Sequence, residues 1–156
     1  MTLIRSFAGA QDVEVARTLF REYEAAIGVD LFFQDFAAEL AGLPGKYQPP
    51  TGSLFLALAD AEPIGCVAVR ALKPPDIAEL KRLYVRPAGR GQNLGLALVQ
   101  TAVEFTRTAG YTTIRLDTLP SMSTAQQLYL GLGFRYIEPY CENPVRRAAY
   151  MELSLT

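Results

Sequence analysis

Histidine and tryptophan are absent from this chain of 156 residues, and cysteine occurs only twice. Without an imidazole there is no Ser-His-Asp or Cys-His catalysis and no imidazole-ligated zinc. Proton transfer therefore falls to carboxylates, tyrosine, lysine, cysteine or water. Cys66 and Cys141 are too few for a disulfide scaffold and too far apart for a metal-ligand spacing. Cys66 lies within the apolar run Ile64-Gly65-Cys66-Val67-Ala68-Val69 and reads as a small core residue. Cys141 reads as a free, semi-exposed thiol rather than a nucleophile. Charge of neither sign is in excess: 15 basic against 16 acidic side chains give a net of −1. That balance removes the electrostatic case for nucleic acid or an anionic membrane as partner. No apolar run approaches the ~18 residues of a membrane span, and no basic start precedes an apolar stretch. The expected location is the cytoplasm.

What is present is enough to build a core. Apolar residues make up 50% of the chain and charged ones 20%, the balance of a folded globular protein. The length and the lack of any linker-like segment predict a single domain over residues 1–156.

Residues 3–7 read as a short strand. Asp12 reads as the N-cap of a helix whose Val13, Ala16, Phe20, Tyr23 and Ile27 form an apolar stripe, closed by Gly28. Asp30 reads as the cap of a second helix carrying Phe33, Phe36, Leu40 and Leu43, ended by Gly42 and Pro44. Turn residues predict a loop over 45–52, then a hairpin of strands 54–59 and 64–71. A third strand is expected over 77–85 and a glycine-bearing turn over 89–95. The following helix places Leu94, Leu98, Thr101 and Phe105 on one face and stops at Gly110. A strand over 113–118 follows, then a helix opened by a Ser123–Gln126 capping box and stopped by Gly133. Segments 135–140 and 148–155 read as the last strands. The order implies an α/β fold: an open mixed sheet with a parallel strand–helix–strand unit at its centre.

Residues 78–95 carry the chemistry. An alternating strand runs into a glycine-rich turn, and the turn into a helix. Backbone N–H groups at a helix start are unpaired, and the dipole adds positive potential, so such a turn can hold a pyrophosphate. Lys81, Arg82, Arg86 and Arg90 concentrate positive charge beside it. Strand alternation predicts Glu79, Lys81, Leu83 and Val85 on one face.

The hexapeptide Arg90-Gly91-Gln92-Asn93-Leu94-Gly95 resembles the Gln/Arg-x-x-Gly-x-Gly/Ala signature of the GNAT superfamily of N-acetyltransferases. Asn93 stands where the pattern has its first glycine, and asparagine tolerates positive φ better than most residues. Leu83-Tyr84-Val85 resembles the family strand whose backbone pairs with the pantetheine arm of CoA. Ala125-x-x-Leu128-Tyr129-x-x-x-Gly133-Phe134 resembles the family's second motif, whose tyrosine lies near the thioester sulfur. Met122 stands where members commonly carry an asparagine, with Ser121 and Ser123 on either side as substitutes for its contact with CoA. The element order matches over nearly the whole chain, and Tyr140-x-x-Asn143-Pro144 resembles a C-terminal pattern of some bacterial members. The resemblance implies a mostly antiparallel sheet, acetyl-CoA as co-substrate, no metal, and an amine acceptor that is a small molecule, amino acid or peptide. Family members often pair, and the apolar C-terminal strand would suit a homodimer interface.

On this reading Glu79 is the candidate base, matching the position of a catalytic glutamate in some members. The alternatives are that it pairs with a cross-strand lysine or arginine, and that the proton leaves through ordered water. Tyr129, protonated at neutral pH, is the candidate acid for the leaving thiolate, or else a packing residue. Backbone N–H groups near Leu83, Tyr84 and Val85 would stabilise the oxyanion. Asp117 would either contact the acceptor amine or stabilise a loop; Tyr23, Phe32, Phe33 and Tyr47 border the expected acceptor site and read first as core. Asn93 and Met122 motivate a second expectation, a non-catalytic acyl-CoA-binding or regulatory module on the same fold.

Overall fold

Seven strands form one sheet in a computed structural model of the chain, which describes residues 2–28, 35–141, 143–145 and 147–156. In chain order the elements are β1 (Thr2–Ser6), α1 (Gly9–Ile27), α2 (Phe36–Ala41), β2 (Ser53–Ala59), β3 (Glu62–Lys73) and β4 (Ile77–Val85). There follow α3 (Leu94–Thr108), β5 (Thr113–Thr118), α4 (Ser123–Gly131), β6 (Arg135–Ile137) and β7 (Ala149–Ser154). The strand order is β1-β2-β3-β4-β5-β7-β6. Every pairing is antiparallel except β4 with β5, the parallel pair joined across α3. Among the described residues no helix is long and apolar enough to cross a membrane.

Strand alternation divides the apolar residues between two faces. Val67, Val69, Ala78, Leu80, Ile114, Leu116 and Met151 meet Leu94, Leu98, Val99 and Ala102 of α3. On the other face Leu54, Leu56, Cys66 and Ala68 meet Ala16, Leu19 and Phe20 of α1 together with Phe36 and Tyr47. Each large side chain buried this way contributes roughly 1.5–3 kcal/mol. Cys66 is fully buried and Cys141 is free and exposed.

Two of the expected helix starts differ from their sequence signals. Asp12 does not cap α1. The helix opens at Gly9, whose φ is +76°, and Asp12 accepts the Ala8 N–H at 2.8 Å from within the first turn while pairing with Arg5. The Ser123–Gln126 capping box does not form either, because the Gln126 amide is used elsewhere. It donates to the Leu119 carbonyl at 2.9 Å and accepts the Tyr136 hydroxyl at 2.8 Å. Asp30, Phe32 and Phe33 lie outside the described residues; Asp35 precedes α2. The strand expected over 135–140 is confined to Arg135–Ile137.

The most consequential departure is in the middle of β4. Tyr84 opposes Cys66 and Lys81 opposes Ala68, so Arg82 and Leu83 together oppose Val67. This is a β-bulge, with Arg82 at φ +60°. The extra residue reverses the side-chain alternation. Glu79 and Lys81 stay on the α1 side, whereas Leu83 and Val85 pack with the α3 cluster. The expectation that all four share one face is therefore corrected: strand parity holds only until a bulge interrupts it.

Candidate active site

β4 and β5 pair only from Ile77–Thr113 to Glu79–Arg115. Beyond that register the strands part, and residues 80–85 of β4 keep their bonds to β3 but present an unpaired edge to β5. The bulge at Arg82 lies in this segment. A wedge open between two parallel strands offers backbone donors and acceptors to an extended ligand, and its mouth faces the start of α3.

That start is built for an anion. A single 3₁₀ turn, Pro87–Gly89, leads from β4 into the glycine turn, where Gly91 has φ +83° and Asn93 φ +58°. Asn93 thus adopts the left-handed conformation expected of it. Among the described residues, the N–H groups from Gly91 to Leu96 find no acceptor, and the first bond of α3 runs from the Ala97 N–H to the Asn93 carbonyl at 3.1 Å. A Cβ built on Gly91 meets nothing within 4 Å, so the concavity is open, while one on Gly95 meets Leu128 at 3.3 Å. The basic residues upstream are less available than their sequence positions suggest. Arg82 is buried against Glu39, Arg86 binds Glu22 at 2.7 and 2.8 Å, and Lys81 turns to the α1 face. Arg90 alone of the four is exposed beside the turn, its Nε donating to the Val85 carbonyl at 3.1 Å.

At the inner end of the wedge lies a crevice of about 30 Å³, lined by Tyr23, Lys81, Leu83, Asp117, Thr118 and Tyr129 among others. Tyr129 is buried, its ring packed on Phe134 at 5.5 Å, and its hydroxyl makes no hydrogen bond among the described residues. Burial raises its pKa, so the phenol stays protonated at any physiological pH. Thr118 Oγ1 is buried and lacks a hydrogen-bond partner among the described residues. Buried polar groups without partners are uncommon, and the Thr118 hydroxyl beside the unbonded Tyr129 phenol marks the crevice as a place where a polar ligand completes the structure. Ser121 and Ser123 lie exposed at the start of α4, with no capping bond to occupy Ser123.

A larger cavity, about 480 Å³, opens on the α1 side of the same strands. α2 and the Leu43–Tyr47 loop form one wall, and Arg70, Glu79, Lys81 and Asp117 form the floor. Glu79 is 2% exposed. Its carboxylate receives Arg70 at 2.8 Å and the Tyr140 hydroxyl at 2.6 Å, with Lys81 at 3.9 Å. The cross-strand partner weighed from sequence is thus real, but the pair lies on a cavity floor rather than a solvated face. Desolvation lowers the pKa of Lys81. Partial desolvation at the cavity wall, with Asp117 and Glu79 nearby, pushes the Cys141 thiol up to about 11, so at neutral pH it is not a thiolate nucleophile.

Tyr140 rests on Arg115 at 5.6 Å and edge-on to Tyr150 at 5.5 Å. Its contact with Glu79 was not anticipated from sequence, and the expected cross-strand cation was not identified there as Arg70. Counting outward from the 74–76 turn sets Arg70 opposite Leu80; the irregularity between Ala71 and Lys73 shifts the register by one and brings Arg70 opposite Glu79. The Tyr140-x-x-Asn143-Pro144 pattern singles out Tyr140, but nothing local signals its bond to Glu79, 61 positions away. Tyr47 is core, 3% exposed and edge-on to Phe20, and Tyr23 lines the crevice.

A glycine turn at a helix start, a parted parallel pair and a tyrosine at the wedge's inner end occur together here. The family model described as Acetyltransferase (GNAT) family matches residues 14–134. The chain belongs to the GNAT family of acetyltransferases. A relative from Schizosaccharomyces pombe, named an uncharacterized N-acetyltransferase, is 40% identical over 94% of this chain and 90% of its own length. A GNAT-family acetyltransferase from Staphylococcus aureus superposes with a TM-score of 0.81 at 18% identity, covering 100% of both chains. An aminoglycoside 6′-N-acetyltransferase solved with coenzyme A superposes at 0.74, with 16% identity over 99% of this chain and 97% of its own.

Proposed function

We propose that this GNAT protein is an acetyl-CoA-dependent N-acetyltransferase that acylates a primary amine of a small molecule, amino acid or peptide by direct attack in a ternary complex. The observation that carries the reading is the wedge, which joins the open amide turn at residues 91–96 to a crevice holding a partnerless phenol and a partnerless threonine hydroxyl. These residues fit acetyl-CoA, which supplies the activated acetyl thioester. The Gly91, Gln92, Asn93, Leu94 and Gly95 amides and Arg90 would hold its pyrophosphate. The free edge of Leu83, Tyr84 and Val85 would pair with its arm, and Ser121 and Ser123, exposed at the start of α4, would add hydrogen bonds to it.

The two cavities divide the work. The acceptor enters the larger one. An alkylammonium of pKa about 10.4 loses a proton at pH 7 at a cost of roughly 4–5 kcal/mol. Glu79, oriented by Arg70 and Tyr140, takes that proton directly or through a water. Tyr129 Oη donates a proton to the leaving sulfur, a role suited to a phenol kept neutral by burial. An N–H of the unpaired β4 edge stabilises the developing oxyanion.

The test is thiol release from acetyl-CoA with a panel of amines, amino acids and peptides. Amine-dependent release with an N-acetyl product is expected. Coenzyme A binding with no release under any acceptor would instead favour a binding module.

A further inference from the structure

We infer that Asp117, held by Asn143, is the group that receives the acceptor's ammonium at the passage between the two cavities. The inference rests on the acetyl-transfer reading above and names the anchor it leaves unassigned. Lys81 and Asp117 are the two residues that line both the 480 Å³ cavity and the 30 Å³ crevice. An acceptor nitrogen moving from the first toward the second passes between them.

The other carboxylates of the larger cavity are committed. Glu39 is bound through both oxygens by Arg82, at 2.8 and 2.9 Å. Glu79 is held by Arg70 and Tyr140. Asp35 is on the exposed rim. Asp117 is half-buried, and its one hydrogen bond among the described residues comes from a neutral group, Asn143 Nδ2 to Oδ2 at 3.1 Å. Its neighbour Arg115 turns to Glu152 at 3.1 Å, while Lys81 across the passage lies 3.9 Å from Glu79 and also interacts electrostatically with Asp117.

The Asn143 amide is itself fixed. Its Oδ1 accepts the Val145 N–H at 2.9 Å, so its NH₂ must point at the carboxylate. Asn143 therefore orients Asp117 without cancelling its charge, leaving Oδ1 of Asp117 to accept from a ligand. A primary ammonium has the three N–H donors and the positive charge that such an oxygen satisfies; an alcohol of the same shape has neither. Asn143 is a positioning residue, and Asp117 is the contact.

The test uses the full chain saturated with coenzyme A, n-butylamine hydrochloride as probe and n-butanol as the uncharged isostere. Binding is followed on the Asn143 side-chain amide resonances. Butylammonium is expected to move those resonances, and butanol is expected to leave them in place. Asp117→Asn should weaken the ammonium about 10- to 100-fold, the range lost with a charged hydrogen bond. Asp117→Ser serves as a second variant should the first fold poorly, with the melting temperature as check on both. Asn143→Ala should raise KM for the best amine of the acceptor panel with kcat changed less, and leave coenzyme A affinity unaltered. The proposal is overturned if butylamine does not bind, if butanol binds equally, or if Asp117→Asn binds within twofold of the parent. Thiol release is read in parallel. Its absence beside intact ammonium binding defeats acetyl transfer alone, whereas release with an indifferent Asp117→Asn defeats this inference alone.

Discussion

Replacing Glu39 by alanine leaves the Arg82 guanidinium buried without its counter-ion, and the size of the penalty follows from the geometry. α2 spans only Phe36–Ala41, too short to persist as an isolated helix. It is tied to the sheet by Phe36, 4% exposed, and by the bidentate pair from Glu39 to Arg82 across 43 positions. The Arg82 side chain is 2% exposed and that of Glu39 17%, so the charge left behind has little route to water. Tyr23 and Phe36 rings lie 5.9 and 5.1 Å from the guanidinium and compensate only part of the loss. Removing one partner of a buried pair costs about 3–5 kcal/mol, and the adjoining cavity places this case near the lower end, at about 3. At about 2–4 °C per kcal/mol for a chain of this size, the melting temperature should fall by about 6–12 °C. Urea and thermal unfolding of Glu39→Ala, Arg82→Met and the Glu39→Leu/Arg82→Met double variant measure it. The double variant strands no charge and should recover most of the loss. A single variant within about 1 kcal/mol of the parent, or a double variant as unstable as Glu39→Ala, refutes the reasoning.

Three further outcomes follow from the same structure. The Arg5 guanidinium beside Asp12, Arg86 beside Glu22, and Arg135 with Arg115 beside Glu152 hold these carboxyls below their ordinary range. Their contribution to stability is therefore complete above about pH 4.5 and is lost as pH falls through the lower folded values. Urea midpoints from pH 7 to 3 should decline only below that point, and Asp12→Asn should flatten the decline. Asn93→Gly should retain coenzyme A affinity by calorimetry and gain up to about 1 kcal/mol, since glycine carries no penalty at φ +58°. Asn93→Val, β-branched at the same angle, should weaken coenzyme A binding. Gly52→Ala should cost about 3 kcal/mol by urea unfolding, because its Cβ would press on the backbone oxygens of Lys46 and Val69, the latter at 2.5 Å.

Local chemistry was legible where it decides structure locally. β4 and β5 begin and end where alternation and turn residues set them, at Ile77–Val85 and Thr113–Thr118. Gly28 closes α1 in the left-handed conformation, and Asn93 takes the turn conformation its side chain allows. The bulge was not legible, because an arginine at positive φ has no sequence signature; Arg82 is held there by Glu39 and the neighbouring rings. That single residue changed which side chains share a face with Glu79. The caps expected of Asp12 and Ser123 failed for a related reason: Arg5 and Tyr136, on the neighbouring strands 7 and 10 positions away, compete for Asp12 and Gln126. Likewise the cluster of positive charge at 81–90 dissolves in three dimensions into ion pairs, leaving Arg90 at the turn. The partners of Glu79 and Asp117, namely Tyr140 and Asn143, come from the segment before β7, and only the folded chain brings them to β4 and β5.

The central claim is that acetyl transfer occurs at the inner end of the β4–β5 wedge with Tyr129 as the acid. Single-turnover thiol release by Tyr129→Phe, with coenzyme A affinity measured on the same protein, tests it most directly. The account predicts a rate lower by about 10²- to 10⁴-fold with coenzyme A affinity unchanged. Turnover at the parent rate in Tyr129→Phe would contradict it.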